Sequence, residues 1–504
     1  MAVLAAAILQ GCTTLPDLDA RTRSVTVRPT ADTRLGRAVD SLVAAHPTES
    51  GIVPLADGRD AFAARALLAA AADRTLDIQY YIWHADMSGM LLFDAVRRAA
   101  DRGVRVRLLL DDNNTAGMDA ILAALDSHPN VEVRLFNPFV HRRWRYLGYL
   151  TDFPRLNRRM HNKSFTADNQ VTIIGGRNVG DEYFGAGQGP LFVDLDVLAI
   201  GPVVNDVSTD FDRYWASASS YPAASVLEPA SSKAIAGVAD SVQHVERDPA
   251  AAAYVQALAR QPFVRDLLSR TLDFEWAATR MVSDDPAKGL GRVASGGLLT
   301  DRLRQAIGAP TSELELVSPY FVPGSEGVDA FAAMAGRGVK VTVLTNSLAA
   351  TDVAAVHAGY ARRRKPLLEA GVKLFEMKRE ASGATTHDRA LTGSSASSLH
   401  AKTFSVDRSR VFVGSFNFDP RSARLNTEMG FVIDSPELAR RIADIFADEV
   451  PVRSYEVRLS RSRKLQWLEQ SDSGEAVHDV EPGTTFWERA MVAVLSVLPI
   501  EWLL

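Results

Sequence analysis

Apolar and polar positions along residues 60–136 follow two periods in turn, which predicts alternating helices and strands. Where alanines and leucines recur every three or four residues we expect a helix, and where β-branched and aromatic residues cluster we expect a strand. The run at 104–110 is almost wholly apolar, as in a parallel strand buried on both faces. The predicted helices are 60–72, 89–100 and 118–126, and the predicted strands are 75–83, 104–110 and 131–136.

The same order of elements returns in the second half of the chain. Helices are predicted at 301–308 and 328–335, and strands at 314–321 and 339–345. An Arg-Gly-Val tripeptide, at Arg102 and again at Arg337, occupies the same place in both halves. A repeat of about 150 residues indicates duplicated domains, since solenoid repeats are much shorter. We predict an α/β protein with domains at 46–225 and 296–455, a helical linker at 226–295, an N-terminal tether at 1–45 and a C-terminal extension at 456–504.

One motif occurs twice within this repeat, with identical spacing: H-x-K, four residues, D, six residues, then G-[GS]-x-N. A single H-x-K carries no information, but two copies with five matching positions are very unlikely by chance. Tyr81 also precedes the first motif by the same distance as Tyr320 precedes the second. The matched positions are His161, Lys163, Asp168, Gly175 and Asn178 in the first half and His400, Lys402, Asp407, Gly414 and Asn417 in the second.

Each motif is predicted to form a strand, a turn and a second strand, at 163–166 and 171–174 and at 403–406 and 411–413. Residues two apart in an extended chain share a face, so the histidine and lysine of each copy point the same way. The glycines end the second strand, where a backbone turns tightly or approaches a ligand.

Two histidines, two lysines and two asparagines brought together would form a cationic pocket suited to a phosphodiester. Imidazole titrates near neutral pH, so one histidine can act as nucleophile while the other acts as acid or base. Lysine and amide donors would stabilise the charge that develops on the phosphate oxygens. No metal or cofactor is predicted, because the lysines take the place of a cation and no metal-binding motif is present.

Carboxylates have two different expected roles around these motifs. Asp194 and Glu428, which align through the apolar strand after each, are candidates for orienting the histidines through the far ring nitrogen. Asp168 and Asp407 are expected to brace the motif turn rather than do chemistry. Of the other histidines, His357 and His387 are the candidates for lining the site, against the simpler expectation of ordinary core or surface residues.

The duplicated motif resembles that of the phospholipase D superfamily, and the resemblance spans roughly residues 50–455. Segments such as LDIQYYIW, NRRMHNKSF and GSFNFDPRS are similar to bacterial cardiolipin synthases, most closely those of the C type. The resemblance implies two α/β domains, each a mixed sheet flanked by helices, related by a pseudo-twofold axis and sharing one active site. It also implies phosphatidyl transfer through a phosphohistidine.

The same resemblance implies roles for individual residues. The implied catalytic set is His161, Lys163, Asp168, His400, Lys402 and Asp407, and the implied phosphate-binding residues are Asn178, Ser415 and Asn417. Gly176 stands where the second motif has Ser415, so the two halves of the site are not equivalent. The implied substrates are phospholipids, namely phosphatidylglycerol, with phosphatidylethanolamine as a further candidate.

Four functions are compared on this basis. The leading one is a transferase that moves a phosphatidyl group onto phosphatidylglycerol and gives cardiolipin, and the second is a hydrolase that releases phosphatidic acid. A nuclease-type phosphodiesterase is disfavoured by the net charge of −5, since nucleic-acid binders are usually basic. A non-catalytic lipid-binding scaffold would require a damaged motif, and both copies are intact.

The N-terminal segment predicts attachment to the cell envelope. Leu9-Gln10-Gly11-Cys12 follows an apolar run and resembles a bacterial lipobox, whose cysteine is acylated, although Gln10 is unusual there. No basic residue precedes the apolar run, as a signal segment would require. The alternative is an apolar tail with a chance cysteine. No apolar run elsewhere reaches the roughly 18 residues that spanning a bilayer requires.

Two further segments are candidates for contact with a membrane surface. Residues 142–159 hold six arginines and one aspartate, interleaved with aromatic residues, and precede His161 directly. They would grip lipid phosphates while the aromatic rings enter the headgroup layer, or else form a solvated arginine face. The apolar tail at 486–504 has tryptophans near both ends, and would lie on a bilayer or dock on the body of the protein.

Overall fold

The computed structural model describes residues 15–19, 21–186, 191–269, 271–294, 296–379, 398–471, 474–498 and 501. The helices and strands predicted for the two halves are present, and their ends lie within four residues of the predicted ones. Local periodicity was therefore sufficient to place these elements, because apolar side chains recur with the period of the element that buries them.

The first half begins with a helix that precedes its first strand. Its helices are α1 (Arg34–Ala45), α2 (Gly58–Ala71), α3 (Met87–Asp101), α4 (Asp119–Asp126), α5 (Arg145–Thr151), α6 (Phe153–Leu156), α7 (Asp181–Phe184), α8 (Val203–Trp215) and α9 (Ala223–Val226). Its strands are β1 (Ser50–Leu55), β2 (Thr75–Tyr80), β3 (Arg105–Asp111), β4 (Val131–Phe136), β5 (Ser164–Ala167), β6 (Val171–Gly175), β7 (Phe192–Val193), β8 (Asp196–Ile200) and β9 (Ser220–Pro222).

The connecting segment and second half follow the same plan. Their helices are α10 (Ser232–Arg247), α11 (Pro249–Leu258), α12 (Pro262–Ser269), α13 (Leu299–Ile307), α14 (Gly324–Gly336), α15 (Ala354–Glu369), α16 (Pro420–Arg424), α17 (Pro436–Asp448), α18 (Val450–Arg453) and α19 (Phe486–Val497). Their strands are β10 (Glu275–Ser283), β11 (Glu313–Val317), β12 (Lys340–Asn346), β13 (Lys373–Met377), β14 (Ser398–Leu399), β15 (Thr403–Val406), β16 (Arg410–Gly414), β17 (Met429–Asp434), β18 (Ser454–Leu459), β19 (Leu465–Ser471) and β20 (Gly474–His478).

The two halves form one continuous mixed sheet, which has 18 strands among the described residues. In the first half the order is β4-β3-β2-β5-β6-β8, with β2, β3 and β4 parallel and the others antiparallel. In the second half the order β13-β12-β11-β15-β16-β17 has the same pattern of directions. This repetition relates the halves by a pseudo-twofold axis and confirms the expected fold class.

Strand β10 lies in a segment that the sequence analysis predicted to be helical. Residues 226–295 were expected to be helical, and helices α10–α12 fill the part up to Ser269. Residues 275–283 instead form β10, which pairs with β1 of the first half and with β17 of the second. The alternating burial of a central strand is absent there, because several of its side chains are half-exposed. The segment called a linker thus supplies the strand that joins the two sheets.

The contact between the halves is a hydrophobic core rather than a loose interface. Ile174 and Val197 of the first half pack in one buried cluster with Val413 and Phe431 of the second. Burial of large apolar side chains stabilises such a contact by about 1.5–3 kcal/mol each. The halves therefore hold a fixed relative position, and a site between them is already assembled.

The terminal segments are both attached to this body. In the N-terminal arm, Arg21 donates a hydrogen bond to the carbonyl of Ser217, and the backbone N–H of Thr26 donates to Asp212. At the other end, β18, β19 and β20 extend the sheet beyond β13, and α19 packs on α15. The predicted anchor residue Cys12 lies outside the described residues. Among the residues described, no helix combines the length and apolar character needed to cross a bilayer.

Candidate active site

Each motif histidine lies beside the chain of the opposite half. The backbone N–H of His161 donates to the carbonyl of Thr427 (2.9 Å), and that of Thr427 donates to the carbonyl of Arg159 (2.9 Å). In the same way the N–H of His400 donates to the carbonyl of Val193 (2.8 Å), where β14 and β7 pair in parallel. The residue after Thr427 is Glu428, and the residue after Val193 is Asp194. These backbone bonds therefore bring a carboxylate of the opposite half next to each histidine.

The two histidine–carboxylate pairs are therefore crossed between the halves. His161 Nδ1 lies 2.8 Å from Glu428 Oε2, and His400 Nδ1 lies 2.5 Å from Asp194 Oδ2. The sequence nominated both carboxylates but did not assign either to a histidine. Because an ionised carboxylate only accepts, each pair places the imidazole proton on Nδ1 and leaves Nε2 as the free nitrogen.

Burial keeps both imidazoles neutral. It lowers the pKa of His161 to about 4, although the neighbouring Glu428 acts in the opposite direction. Burial, followed by the charge of Lys402, also lowers the pKa of His400. Burial by itself would raise the pKa of Asp194, but His400 and Lys402 hold it below its usual range. The site thus contains two neutral imidazoles, each with an ionised acceptor behind it.

The two lysines lie in the same buried pocket. Lys163 donates to the carbonyl of His161 (2.5 Å), and Lys402 Nζ lies 2.9 Å from His400 Nδ1. Burial lowers the pKa of Lys163 to about 7, with a further contribution from Lys402, and burial lowers the pKa of Lys402 as well. The charge of Lys402 acts on Lys163, and the charge of Asp194 in the first half acts on Lys402. The two motifs therefore form one site.

The difference between Gly176 and Ser415 matches the difference between the carboxylates. A Cβ added to Gly176 would lie 2.1 Å from Asp194 Oδ1, so only glycine leaves room for this carboxylate. In the second motif, Ser415 instead donates its hydroxyl hydrogen to Glu428 Oε2 (2.5 Å). The residue after the motif glycine therefore matches the carboxylate of its own half: Gly176 leaves room for Asp194, and Ser415 donates to Glu428.

The asparagines of the two motifs have different surroundings. Asn178 accepts a hydrogen bond from the N–H of Ile82 (3.2 Å) and donates to the hydroxyl of Tyr183 (3.0 Å). Asn417 is also buried, but its Oδ1 has no hydrogen-bond partner. A buried polar atom without a partner is costly, so Asn417 Oδ1 is an acceptor available to a donor group of a ligand, such as a lipid hydroxyl.

The motif aspartates lie at the other end of the hairpins, away from the histidines. Asp168 accepts hydrogen bonds from the backbone N–H groups of residues 73–75, and Asp407 accepts them from residues 311–313. Strands β5 and β15, each four residues or about 13 Å long, lie between the lysine and the aspartate of their motif. The structure does not bring these two members of the expected catalytic set into the site, and their contacts are those of a turn brace.

Several residues that the sequence did not single out support the pair at Glu428. The hydroxyl of Ser422 donates to Glu428 Oε1 (2.8 Å), and the backbone N–H of Glu428 donates to Asp284 (2.9 Å). Asp284 is in turn bound by the buried Lys288 (2.9 Å). Asp284 and Lys288 belong to the connecting segment, where no motif marks them, so only the tertiary structure reveals them.

Aromatic rings pack against both histidines. Tyr81 lies edge-on to His161, with ring centroids 4.9 Å apart. Tyr183 and Phe192 lie 5.3 Å and 5.1 Å from His400. The sequence analysis used the equal spacing of Tyr81 and Tyr320 only as evidence of the repeat, and it did not single out Tyr183 or Phe192.

His357 belongs to a different part of the molecule. It is buried and bonded to Glu481 (3.0 Å) and Arg364 (2.7 Å), in a network that joins α15 to the C-terminal extension. His387 lies outside the described residues. Among the described residues, three side chains outside this site lie close enough to coordinate one metal ion. They are His84, Asp86 and Glu182, and all three are at least partly exposed.

The basic segment before His161 does not form an arginine face. Arg142 pairs with Asp112 and Asp119, while Arg159 is buried and donates to the carbonyl of Asn137 (3.0 Å). The residues left exposed on α5, α6 and the turn before them are mostly apolar, and we call them the α5–α6 patch. They are Trp144 (51%), Tyr146 (60%), Leu147 (39%), Leu150 (82%) and Phe153 (39%).

Comparisons with known proteins point to one family. The family described as "Cardiolipin synthase, PLD-like domain" matches residues 65–215 and 303–450. Cardiolipin synthase C of Escherichia coli K12 is 53% identical over 476 residues, which cover 94% of this chain and 100% of that protein. An uncharacterized protein of Helicobacter pylori 26695 is 32% identical and covers 90% of this chain and 89% of its own.

A solved structure supports the fold independently. Phosphatidylserine synthase of Haemophilus influenzae Rd KW20 superposes with a TM-score of 0.57 at 14% identity, covering 94% of this chain and 100% of that chain. At this identity the likeness concerns the fold alone. From the duplicated site and these sequence matches, the chain belongs to the cardiolipin synthase family, whose members carry phospholipase D-like domains.

Proposed function

We propose that this protein is a phosphatidyltransferase that makes cardiolipin by moving a phosphatidyl group from a donor phospholipid to phosphatidylglycerol. The observation that carries the proposal is the pair of neutral histidines, each with a free Nε2 and an ionised carboxylate from the opposite half. Such a pair supplies one nucleophile and one acid or base in a single pocket. The 53% identity to the E. coli protein named cardiolipin synthase C supports the choice of product.

We assign the nucleophile to His161 and the acid–base role to His400, by analogy with the superfamily. Binding of the anionic phosphodiester stabilises His400 in its doubly protonated form, with a proton on Nε2 as well as on Nδ1. In the first step His161 Nε2 bonds to phosphorus, the bond from phosphorus to the leaving-group oxygen breaks, and the Nε2–H of His400 supplies the proton to that oxygen, which leaves His400 neutral. In the second step the acceptor hydroxyl gives its proton to His400 while its oxygen attacks phosphorus and the P–N bond breaks. Glu428 and Asp194 orient the two imidazoles and stabilise the positive charge that each acquires.

The lysines stabilise the phosphate during both steps. Lys163 and Lys402 are buried and carry donors into a pocket of low dielectric, where their interaction with developing negative charge is strong. Ser415 and Asn178 are held by Glu428 and Tyr183, whereas the amide oxygen of Asn417 has no partner, and its Nδ2 is the donor that a phosphate oxygen would accept from. We therefore place Asn417 against the phosphate and give Ser415 and Asn178 supporting roles.

Transfer rather than hydrolysis fits the burial of the site. His161 and His400 are each only 7% exposed, so a lipid bound in the pocket would exclude bulk water during the reaction. The acceptor is then a lipid hydroxyl that enters the pocket in an ordered way. The net charge of −5 and the exposed apolar patch disfavour nucleic acid as a substrate.

The substrates require the protein to reach a membrane. We propose that the α5–α6 patch enters the headgroup region of a bilayer of the bacterial cell envelope, with acylated Cys12 as a second attachment. Aromatic and aliphatic side chains at such positions are typical of proteins that lie on a membrane surface. Phosphatidylglycerol is the proposed acceptor, and phosphatidylglycerol or phosphatidylethanolamine is the proposed donor.

The order of the two histidines is tested by trapping the intermediate. Supplied with a donor whose leaving group needs little protonation, His400→Asn protein should accumulate a phosphatidyl adduct on His161, because its first step no longer depends on an acid and its second step lacks a base. His161→Asn protein should form no adduct. His478→Asn, at a half-exposed histidine on β20, serves as the matched control and should turn over normally. Peptide mapping after an acid-free quench locates the adduct. An adduct on His400 in the His161→Asn protein would reverse the assignment.

The product is tested by expression in a bacterial host that lacks cardiolipin. The wild-type chain should restore cardiolipin, and the His161→Asn chain should not. If the membranes gain phosphatidic acid and no cardiolipin, the enzyme is a hydrolase and the proposal is wrong.

A further inference from the structure

A large apolar cavity lies in the second half, next to the second motif. It has a volume of about 660 Å³, within the range of 300–1,000 Å³ that is usual for small-molecule sites. One wall is the face of α14 that carries Ala330, Phe331 and Met334, and the opposite wall is α13 with Leu303 and Ile307. Leu314 and Val406 of the sheet form its floor.

The corresponding space in the first half is filled by protein. There α2 and α3, the counterparts of α13 and α14, pack directly on each other, and α10, α11 and α12 cover them. Phe62 of α2 makes edge contacts with Phe184 of α7 and with Tyr254 of α11. Among the described residues no helix takes the place of α10–α12 over α13 and α14. The pseudo-twofold symmetry is therefore broken where the second half leaves room for a ligand.

The cavity shares a wall with the active site. Phe416 and Phe418, which flank Asn417 of the second motif, both line it. Asp419 and Pro420, at the start of α16, continue this wall, and Ser422 in the same turn of α16 donates to Glu428. A molecule in the cavity would thus contact the same loop that positions the site for phosphate.

The shape of the cavity suits an acyl chain. It follows α14, whose 13 residues span about 20 Å. One leaflet of a bilayer has a hydrocarbon layer about 15 Å deep, which is half of the bilayer core. The lining is mostly apolar. The exposed Arg304 and Arg424 stand at its edge, and the partly buried ion pair of Arg363 with Glu501 also lines it.

We propose that this cavity binds one fatty acyl chain of a phospholipid substrate and so positions its phosphate beside the second motif. The inference rests on the proposed function for the identity of the ligand as a phospholipid. It adds a site for the chain, formed by α13, α14 and the loop at 416–420, that the histidine motifs do not indicate.

The first test fills the cavity without removing a contact. Ala330 is exposed within the cavity, so Ala330→Trp should occupy it, whereas Ala333→Trp, on an exposed position of α14 outside the lining, is the matched control. Purified protein is irradiated with phosphatidylglycerol that carries a diazirine at the end of one acyl chain. Wild type and Ala333→Trp should be labelled on α14 or at 416–418, and Ala330→Trp should lose at least nine-tenths of that label.

Equal labelling of the two tryptophan variants, or labels confined to other regions, would overturn the proposal. Labelling that appears only after residues 502–504 are replaced by serine would mean that the chain's own apolar end fills the cavity, which also overturns it. Because labelling needs no turnover, this result is independent of whether the enzyme makes cardiolipin.

A kinetic test separates the chain site from the chemistry. With phosphatidylglycerol of natural chain length, Ala330→Trp should raise KM at least tenfold and leave kcat within about twofold. With a phosphatidylglycerol whose acyl chains have only a few carbons, the two tryptophan variants should behave alike. A loss of kcat with both lipids in Ala330→Trp alone would indicate a disturbed active site and would contradict the proposal. No product from wild type with either lipid would count against the proposed function instead.

Discussion

At the scale of single residues, the site depends on which atoms carry protons. Glu428 and Asp194 hold the Nδ1 protons of the two histidines, and burial keeps both imidazoles neutral. The lysines are buried too, and they need their protons in order to bind phosphate. The pKa of His161 is lowered to about 4 and that of Lys163 to about 7, so a neutral histidine and a charged lysine coexist only between these two values.

This arrangement predicts the pH dependence of kcat/KM. Because the pKa of His161 is lowered to about 4, the nucleophile stays unprotonated down to that pH, and the rate should fall only as the pH approaches 4. Because the pKa of Lys163 is lowered to about 7, this lysine loses its charge as the pH rises through 7, and the rate should fall there. Steady-state rates on a soluble short-chain phosphatidylglycerol from pH 4 to 9 measure both limbs. A rate that keeps rising between pH 7 and 9 would show that Lys163 is not needed as a cation.

The residue types at the site were readable from the sequence, but their pairing was not. The repeat identified both histidines, both lysines and both orienting carboxylates. The crossing of Glu428 to His161 and of Asp194 to His400 depends on backbone bonds at Thr427 and Val193, which form only after the halves pack. Asp284 and Lys288 act through contacts distant in sequence from the motifs, so no spacing rule could find them.

At the scale of elements, the sequence predicted those whose burial follows one period. Strand β3 is buried along most of its length and was recognised as a parallel core strand. Strand β10 was missed because its exposed positions blur the alternation, and its role comes from pairing with β1 and β17 rather than from its own residues. Helix α19 was left open between a membrane and a docked position, and it packs on α15 with an apolar outer face.

The C-terminal extension is joined to the second half by a buried ionic network. Glu481 binds His357 and Arg364, and Arg364 also binds Glu376 on β13. Burial alone would raise the pKa of Glu481, but His357 and Arg364 lower it to about 2. A lowered pKa means that this stabilisation is present above the unfolded value near 4.5 and is lost as the pH falls towards 2.

Glu481→Gln should therefore lower the free energy of unfolding by about 3 kcal/mol at pH 7, because it removes one of the two carboxylate charges that compensate the buried Arg364. Urea unfolding followed by tryptophan fluorescence measures this, since the buried Trp467 bonds to Glu376 in the same network. Glu475→Gln, at an exposed glutamate on β20, is the control and should change stability by less than about 0.5 kcal/mol. At pH 7 the folded Glu481→Gln protein should keep its activity, and equal stability of the two variants would refute the network's role.

At the scale of the whole molecule, two exposed apolar surfaces stand out against a chain of ordinary composition. One is the α5–α6 patch, whose chain leads directly into His161. The other is the outer face of α19, where Phe486, Trp487, Val494 and Val497 are between 63% and 78% exposed. Exposed apolar groups of this size, clustered on two elements, are typical of surfaces that contact a membrane or a partner. If both rest on one bilayer, they orient the body of the protein relative to the lipid.

Leu150→Ser and Trp487→Ser test this orientation. Each removes a large apolar side chain that would leave water on binding, and partial burial of such a group is worth about 1.4 kcal/mol, or tenfold in affinity. We expect each single variant to weaken sedimentation with phosphatidylglycerol-containing vesicles by roughly tenfold. Ile235→Ser, at an exposed apolar position on α10, is the control and should bind as wild type does.

The double variant Leu150→Ser/Trp487→Ser distinguishes one orientation from two. Distant positions that engage the same bilayer at once contribute additive free energies, so the double variant should bind about a hundredfold more weakly. If the two surfaces instead contacted membranes in alternative orientations, either one alone would keep the protein bound and each single variant would lose little. If only Leu150→Ser weakens binding, the outer face of α19 has a different partner, and the α5–α6 patch beside His161 is the one that brings the active site to the lipid.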